Sequence, residues 1–237
     1  MGWAGAMAGL RGYALALGGT DPQIGFAMTV RLVLADDHLV LRQALKALLE
    51  RKGLQVVADE ADGRAAVTAV QRFSPDVVVL DVAMPVLNGV DAAREIARLA
   101  PACPVILLSG IDDKRFVKEA LKVGVRGFVQ KSQGCDDLVH AIEEVRDGRL
   151  YVSPGASQAI VDACATATPN DGANLTPRER QVLQLVGEGK STKQIAEVLH
   201  ISVKTAEFHR GRLMKKLNVH DTANLVRYAI REGWIAP

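Results

Sequence analysis

The sequence predicts an α/β protein in two parts: a doubly wound parallel sheet of five strands, followed by a separate all-α domain of four helices. Between residues 30 and 149, five short apolar segments alternate with five segments of helical periodicity. Parallel strands need helical crossovers, so this alternation is typical of a parallel sheet with helices on both faces. After residue 174 the strand pattern stops, and a series of helix start signals follows.

The clearest strand of the first part is the apolar run 77–80 between Pro75 and Pro85. An unbroken apolar strand is typical of the centre of a parallel sheet, where both faces are buried. The predicted strand order is the flavodoxin-like 2-1-3-4-5, in which strands 1 and 3 flank the point where the order reverses. The predicted strands are 30–35, 54–58, 77–80, 105–108 and 125–129, and the predicted helices are 39–49, 64–73, 89–99, 113–123 and 136–146.

Polar side chains end four of these strands at one edge of the predicted sheet. Asp36 and Asp37 follow the first strand, Asp81 the third, Ser109 the fourth and Lys131 the fifth. Taken singly, each has an ordinary explanation as a helix cap, a loop cap or a solvated charge. Together they predict a site, because converging carboxylates repel one another unless a hard cation such as Mg²⁺ joins them. A hydroxyl and an ammonium at the same edge are groups that hold phosphate oxygens.

Charge separates the two parts of the chain. The 237 residues have a net charge of +2, but residues 174–237 contain 11 Lys and Arg against 6 Asp and Glu, and the rest contains 18 against 21. A basic C-terminal part favours a nucleic-acid partner. Cys103, Cys135 and Cys164 form no CxxC pair, which favours reduced thiols in the cytoplasm over a zinc site or a disulfide framework. No apolar run approaches the roughly 18 residues that a membrane span needs.

Helix start signals are explicit in the second part. Thr176, Pro177 and Glu179 combine an N-cap, a proline at the first helical position and a capping box, and Ser191 with Gln194 repeats the capping signature. Two short helices joined by a tight turn in a basic segment are the helix-turn-helix pattern; the alternative is a solvated bundle with incidental charge. The helices are predicted to begin near residues 176, 191, 202 and 221.

The third helix of this part is predicted to have an inward face and an outward face. Apolar residues at helical spacing form the inward stripe, and a mixed polar and aromatic set lies on a different face. The inward residues are Val203, Ala206, Leu213 and Leu217, and the outward residues are Lys204, Glu207, Phe208, Gly211 and Lys215, flanked by Arg210 and Arg212.

The first part resembles the receiver domain of two-component response regulators. The resemblance covers residues 30 to 149 in the right order, and it implies that Asp81 accepts a phosphoryl group from the phosphohistidine of a sensor histidine kinase. Its motifs are Asp36-Asp37, Asp81 with Met84-Pro85 and Asn88-Gly89, Ser109-Gly110, and Phe128 with Lys131. The implied Mg²⁺ ligands are Asp36, Asp37, Asp81 and the Ala83 carbonyl, and the implied phosphoryl-binding and switch residues are Ser109, Gly110, Phe128 and Lys131. Gly110 and Ala83 depart mildly from the commonest pattern, but neither removes a reacting group.

The segment 175–217 resembles the LuxR-type output domain, so the chain from residue 30 is similar to a NarL/FixJ-type response regulator. This implies a cytoplasmic transcription regulator, not an enzyme with a diffusible substrate, that binds double-stranded promoter DNA and forms a homodimer on activation. Glu207 and Gly211 depart from many relatives, which leaves the target sequence open. The implied DNA-binding residues are Lys204, Thr205, Glu207, Phe208, Arg210, Gly211, Arg212 and Lys215.

The predicted division of the chain has four segments. Residues 1–27 are a disordered or wrongly assigned extension, 28–149 the receiver domain, 150–173 a linker with a short helix near 158–163, and 174–237 the DNA-binding domain. Two alternative functions fit the sequence less well. A Mg²⁺-dependent phosphatase would need a second acid shortly after Asp81, where Ala83 stands. A ligand-gated LuxR-type regulator would need a small-molecule pocket in place of the acidic edge.

Overall fold

The computed structural model describes residues 29–110, 114–154, 157, 175–231 and 234–235. Its first part is a parallel sheet in the order β2-β1-β3-β4-β5-β6, which confirms the predicted order and adds a sixth strand to the five predicted. The strands are β1 (Arg31–Ala35), β2 (Gln55–Glu60), β3 (Val77–Asp81), β4 (Val105–Ser109), β5 (Gly127–Gln130) and β6 (Tyr151–Val152). The crossover helices are α1 (Leu39–Arg51), α2 (Gly63–Phe73), α3 (Gly89–Leu99), α4 (Lys114–Val123) and α5 (Cys135–Arg146).

The two central strands are buried along their whole length. Every residue of β3 and β4 is buried, which explains why both segments have unbroken apolar sequences rather than an alternation. The side chains of β3 alternate between two hydrophobic clusters, one on each face of the sheet: Val78 and Leu80 lie in one, and Val77 and Val79 in the other. The sheet thus presents the carboxyl ends of β1, β3, β4 and β5 at a single edge.

The sixth strand is formed by a segment that was predicted to belong to the linker. Tyr151 and Val152 pair in parallel with Gly127 and Phe128 of β5. The next residue, Ser153, is fully buried; its amide donates to the Phe128 carbonyl (2.8 Å), and its Oγ accepts from the Gln130 amide (3.1 Å). A two-residue strand followed by Ser-Pro has no periodicity to detect, which is why the sequence did not reveal it.

The second part is a four-helix unit with its own hydrophobic core. Its helices are α6 (Pro177–Gly187), α7 (Thr192–Val198), α8 (Val203–Leu217) and α9 (Thr222–Arg231). Both predicted capping boxes are present, at Thr176 with Glu179 and at Ser191 with Gln194. The inward stripe of α8 is partly wrong: Ala206 and Leu213 are buried, but Val203, in the first helical turn, is 43% exposed.

Some predictions fall outside the described residues. These are the extension 1–27, the short helix near 158–163 and Cys164. Cys103 and Cys135 are free thiols, and burial raises the pKa of Cys103 to about 11. Among the described residues, no helix has the length and apolar character to cross a membrane.

Candidate functional site

The acidic residues that end β1 and β3 come together at the carboxyl edge of the sheet. The two strands are neighbours, with Ala35 opposite Leu80, so the residues that follow them meet. Single ligand atoms from Asp36, Asp37, His38 and Asp81 all lie within 4.8 Å of one another. The juxtaposition predicted from the strand order is therefore present in the structure.

Lys131 joins two of these carboxylates. Its Nζ lies 2.8 Å from Asp36 Oδ2 and 2.9 Å from Asp81 Oδ1. The backbone of Lys131 is held by the neighbouring strand, because its amide donates to the Ser109 carbonyl (2.8 Å). Burial alone lowers the pKa of Lys131, but the two carboxylates outweigh burial and raise it. The ammonium therefore stays charged and compensates part of the buried negative charge.

Asp81 is an unusually basic carboxylate. It is 2% exposed, and burial raises its pKa to about 6; the charge of Lys131 opposes this rise and that of Asp36 adds to it. A carboxylate of raised pKa next to a fixed cation in a cleft is a functional-site candidate on physical grounds.

The oxygen atoms of this cluster fit a hard divalent cation. Asp81 Oδ2 is buried and accepts no hydrogen bond, and Asp36 Oδ2 lies near Lys131 Nζ but outside hydrogen-bond geometry. A buried carboxylate oxygen without a partner, such as Asp81 Oδ2, is costly, and a cation would satisfy it. A set of carboxylates is the donor type that Mg²⁺ prefers, with water filling the remaining positions.

His38 is a member of this cluster that the sequence analysis missed. Its Nδ1 lies 2.8 Å from Asp37 Oδ1 and 3.3 Å from Asp36 Oδ1, and its amide donates to Asp36 Oδ1 (2.8 Å). The ring is largely exposed, with 68% of the side chain accessible. Its position directly after the acidic pair was a signal that could have identified it.

The loop after Asp81 has a constrained backbone. Val86 has φ of +67°, a conformation that is strained for a β-branched residue, and the Leu87 amide donates to the Pro85 carbonyl (2.7 Å) to close a tight turn. Only glycine fits at position 89, because a Cβ there would lie 2.2 Å from the Asp81 carbonyl oxygen. These contacts explain the Pro-to-Gly spacing of the motif. Ala83, whose carbonyl was predicted to bind the cation, lies in the same loop.

The predicted switch residues lie on β4 and β5. Ser109 is buried at the end of β4, and Phe128 is buried within a hydrophobic cluster that also contains Leu107, its partner in register. Gly110 follows directly and is exposed. The resemblance implies that Phe128 turns inward together with Ser109 on phosphorylation, but Phe128 is already buried in this structure. The roles of these residues stay predictions.

The helical unit contacts the loop that follows Asp81, which the sequence did not predict. Gln184 Nε2 donates to the Met84 carbonyl (2.6 Å), and Gln184 Oε1 accepts from the Asn88 amide (3.3 Å) and from Asn88 Nδ2 (3.2 Å). Glu188 Oε1 accepts from the Val86 amide (3.0 Å). Helix α6 is thus docked by hydrogen bonds on the loop that follows Asp81.

Most of the predicted DNA-binding residues on α8 are exposed. Phe208 is 58% exposed, and the guanidinium of Arg212 lies over its ring at 5.6 Å. Arg210 differs, because its guanidinium donates to Thr192 Oγ1 (3.0 Å) and to Thr222 Oγ1, which ties α8 to α7 and α9. Thr205 is partly buried at the helix start, where its Oγ1 lies 2.8 Å from Ser202 Oγ. The remaining exposed positions are Lys204, Glu207, Gly211 and Lys215.

Comparison with known proteins places both parts of the chain. Residues 32–143 match the response regulator receiver domain, and residues 173–229 match the bacterial regulatory proteins of the luxR family. The chain is 33% identical to the transcriptional regulatory protein DegU of Brevibacillus brevis over 224 residues, which cover 87% of this chain and 95% of DegU. It is 35% identical to the transcriptional regulatory protein MctR of Rhizobium johnstonii over 209 residues, covering 87% and 96% of the two chains.

A solved structure is similar over both parts. The response regulator ChrA of a heme-sensing two-component system shares 28% identity and has a TM-score of 0.50, covering 87% of this chain and 99% of that chain.

Proposed function

Because the chain belongs to the NarL/FixJ-type response regulators, with a receiver domain and a LuxR-type DNA-binding domain, we propose that it is a transcription regulator switched by phosphorylation of Asp81. The proposed phosphodonor is the phosphohistidine of a sensor histidine kinase. The proposed output is a change in dimerisation and in binding to double-stranded promoter DNA. Relatives of this chain are named transcriptional regulatory proteins, which supports a regulatory rather than a metabolic role.

The observation that carries the proposal is the geometry of Asp81. Its carboxylate is buried, has an oxygen without a hydrogen bond, and lies beside Lys131 and within 4.8 Å of the other acidic residues. In the proposed transfer, an Asp81 oxygen forms a bond to phosphorus while the bond from phosphorus to the histidine nitrogen breaks, and the electron pair returns to the imidazole. Mg²⁺, when bound, would neutralise charge on the transferred group.

The chain's own residues account for the remaining requirements of the transfer. Asp36, Asp37 and the Ala83 carbonyl are the proposed cation ligands beside Asp81. Lys131 and the Ser109 hydroxyl are the proposed ligands of the phosphoryl oxygens; this is supported by their positions at the ends of β5 and β4, at the same edge of the sheet as Asp81. Phosphoryl transfer depends on positioning and charge compensation more than on covalent assistance, which supports these assignments.

The DNA-binding surface of α8 supports dimerisation as the proposed response. Its outward residues are exposed although α6 is docked on the receiver loop, so phosphorylation would not need to uncover the recognition helix. Pairing of two copies would instead place two recognition helices on neighbouring half-sites, as helix-turn-helix dimers do. The proposed DNA-binding domain remains 174–237, and the proposed receiver, predicted from the sequence as 28–149, is extended to residue 153, because β6 and Ser153 pair with β5 of its sheet.

The proposal is tested by intact-mass measurement with a small phosphodonor. With acetyl phosphate and Mg²⁺, the wild-type chain is expected to gain one phosphoryl group, and neither Asp81→Asn nor a sample treated with EDTA is expected to gain it. Asp91→Asn is the control variant, because Asp91 is also buried but lies in α3. This variant is expected to gain the phosphoryl group as the wild-type chain does. Labelling of Asp81→Asn at wild-type level would overturn the assignment. Continuous release of phosphate from unrelated phosphomonoesters would instead favour a phosphatase.

A further inference from the structure

Arg42 is a buried, positively charged residue next to the acidic edge of the sheet. It has no role in the phosphoryl transfer proposed above. It lies in the first turn of α1, and its side chain is 10% exposed. Its Nη1 donates to the Asp36 carbonyl (2.5 Å), and its Nε lies 3.6 Å from Asp59 Oδ2 on β2. A guanidinium is rarely buried unless it is paired, so this location requires an explanation.

The Asp36 carbonyl belongs to the peptide group that links Asp36 to Asp37. The Asp36 amide on its other side donates to the Glu60 carbonyl (3.1 Å) of β2. The main chain of Asp36 is therefore held by β2 on one side and by Arg42 on the other. Rotation of this peptide would move the main chain that carries both predicted cation ligands, Asp36 and Asp37, and the hydrogen bond from Arg42 opposes that rotation.

The charges around Arg42 also keep it in place. Asp59 forms ion pairs with both Arg42 and Lys46. Lys46 Nζ lies 2.6 Å from Asp59 Oδ1, and the other carboxylate oxygen, Oδ2, faces Arg42 beside the Asp36 carbonyl. Glu60 is the other acid near this position; burial raises its pKa, Asp59 and Asp62 add to the rise, and Arg42 opposes it. The rigid fork of a guanidinium can contact a carbonyl and a carboxylate together, which an ammonium cannot do equally well.

We propose that Arg42 is a positioning residue for the cation site: it clamps the Asp36–Asp37 peptide so that both carboxylates converge with Asp81. This inference rests on the proposed function, in which Asp36 and Asp37 hold Mg²⁺. Arg42 does not contact the cation or the phosphoryl group; it acts through the peptide that carries two ligands. Outer partners of this kind commonly change metal affinity by about 10- to 100-fold when removed.

The sign of the effect separates positioning from simple electrostatics. A positive charge near a cation site repels the cation, so loss of charge alone predicts tighter binding by Arg42→Gln and unchanged binding by Arg42→Lys. A positioning role predicts the opposite change in cation affinity for Arg42→Gln. Arg42→Gln loses the clamp and binds the cation more weakly, and Arg42→Lys keeps the charge but is intermediate, because it cannot reach the carbonyl and Asp59 together.

The experiment measures Mn²⁺ affinity of the full chain by the electron paramagnetic resonance signal of free Mn²⁺. The variants are Arg42→Gln and Arg42→Lys, with Arg51→Gln as a control that removes an exposed charge at the other end of the same helix. The free energy of unfolding in EDTA gives the structural cost. The rate of labelling by acetyl phosphate at saturating Mn²⁺ tests whether the reacting groups are intact.

Arg42→Gln is expected to bind Mn²⁺ about 10-fold more weakly or worse, with near wild-type labelling once the cation saturates. Wild-type or tighter affinity in a folded Arg42→Gln protein overturns the inference. If Arg42→Gln does not fold, Arg42→Lys decides alone, and wild-type affinity in that variant overturns it. Absence of Mn²⁺ binding by the wild-type chain would refute the proposed function itself, which is a different outcome.

Discussion

Asp81 is a buried carboxyl group whose pKa depends on its burial, on the charges of Lys131 and Asp36, and on a hydrogen bond from the Ala83 backbone. Burial raises its pKa in the folded protein to about 6, whereas an unfolded chain would lose this proton near pH 4. Between these values the folded state binds a proton that the unfolded state has released. The free energy of unfolding of the metal-free protein therefore contains a contribution that is present below pH 4 and is lost as the pH rises through about 6.

Replacing Asp81 and replacing Lys131 should change the free energy of unfolding in opposite directions. In EDTA at pH 7, Asp81→Asn removes a buried charge and should raise the free energy of unfolding by on the order of 2 kcal/mol. Lys131→Gln leaves two buried carboxylates uncompensated and should lower it by about 3 kcal/mol. Urea unfolding from pH 4 to pH 8 measures both effects, and the gain from Asp81→Asn should shrink as the pH falls below 6.

Asp76→Asn serves as a control for this comparison, because Asp76 precedes β3 at the opposite end of the sheet and is exposed. Equal stability of Asp81→Asn and wild type across the pH range would show that Asp81 is not held as a basic carboxylate. Addition of Mg²⁺ at pH 7 should stabilise the wild-type chain but not Asp81→Asn, because ligand binding to the folded state alone raises its stability.

At this scale, strand-end chemistry was predictable and contacts between distant elements were not. Asp36, Asp81 and Lys131 were found because parallel topology brings strand ends together whatever their distance in the sequence. Arg42 and Gln184 look like ordinary helix residues, and nothing in their spacing says which carbonyl they reach. Their roles arise from packing of α1 against β1 and of α6 against the loop after β3.

Among the elements, the short strand β6 has the most direct structural consequence. It covers the outer edge of β5, where Ser153 Oγ accepts from the Gln130 amide. Ser153→Ala should lower the free energy of unfolding by about 1 kcal/mol, because the amide loses its partner without a replacement. Hydrogen exchange at Gln130 should become faster. The control is Ser132→Ala, in the exposed loop after β5, and equal exchange rates in both variants would contradict the assigned bond.

The helices were easier to predict than this strand because their ends carry local chemistry. A capping box joins residues three apart, so Thr176 and Glu179 announce a helix without reference to the rest of the fold. A strand such as β6 is stabilised almost entirely by its neighbour, and its two residues have too little pattern of their own. Elements defined by local contacts were therefore predicted, and the element defined by a distant partner was missed.

On the scale of the whole molecule, polar contacts join the two parts of the chain. Besides Gln184 and Glu188, Arg180 lies 3.4 Å from Asp91 and 3.5 Å from Glu119, and Gln181 Nε2 donates to Glu95 (3.4 Å). Trp234 also packs against the hydrophobic clusters of both parts, so the interface combines polar and apolar contacts. This interface begins at the loop after Asp81, so its strength depends on the conformation of that loop.

Gln184→Ala should therefore loosen the contact between the two parts without unfolding either. The Met84 carbonyl and the Asn88 amide would lose buried partners, which costs roughly 1 to 3 kcal/mol at the interface. Small-angle X-ray scattering should show a larger radius of gyration for this variant. The matched control is Glu197→Ala, on the exposed face of α7. Identical scattering curves for Gln184→Ala and wild type would show that Gln184 does not hold the docked arrangement.

The last prediction concerns how the molecule divides its DNA contacts between bases and phosphates. Glu207 is exposed in the first half of α8, where a helix in the major groove aims at base edges, and a carboxylate can accept from cytosine N4. Arg212 lies farther along, is 55% exposed and is better placed for phosphates, where contacts add affinity without sequence information. Arg210 is held by Thr192 and Thr222, so Arg212 is the sharper test of a phosphate contact.

Glu207→Ala should relax the preference at one or two base pairs per half-site, costing roughly 1 to 3 kcal/mol on the preferred sequence. Arg212→Ala should weaken binding to all sequences about equally. It should also reduce the slope of the logarithm of the binding constant against the logarithm of the salt concentration by about one unit per monomer. Binding-site selection and salt titrations measure the two effects, with Arg72→Ala in the receiver as the control. A wild-type motif selected by Glu207→Ala would mean that α8 enters the groove in another orientation, since a residue that faces base edges cannot be removed without loss of preference.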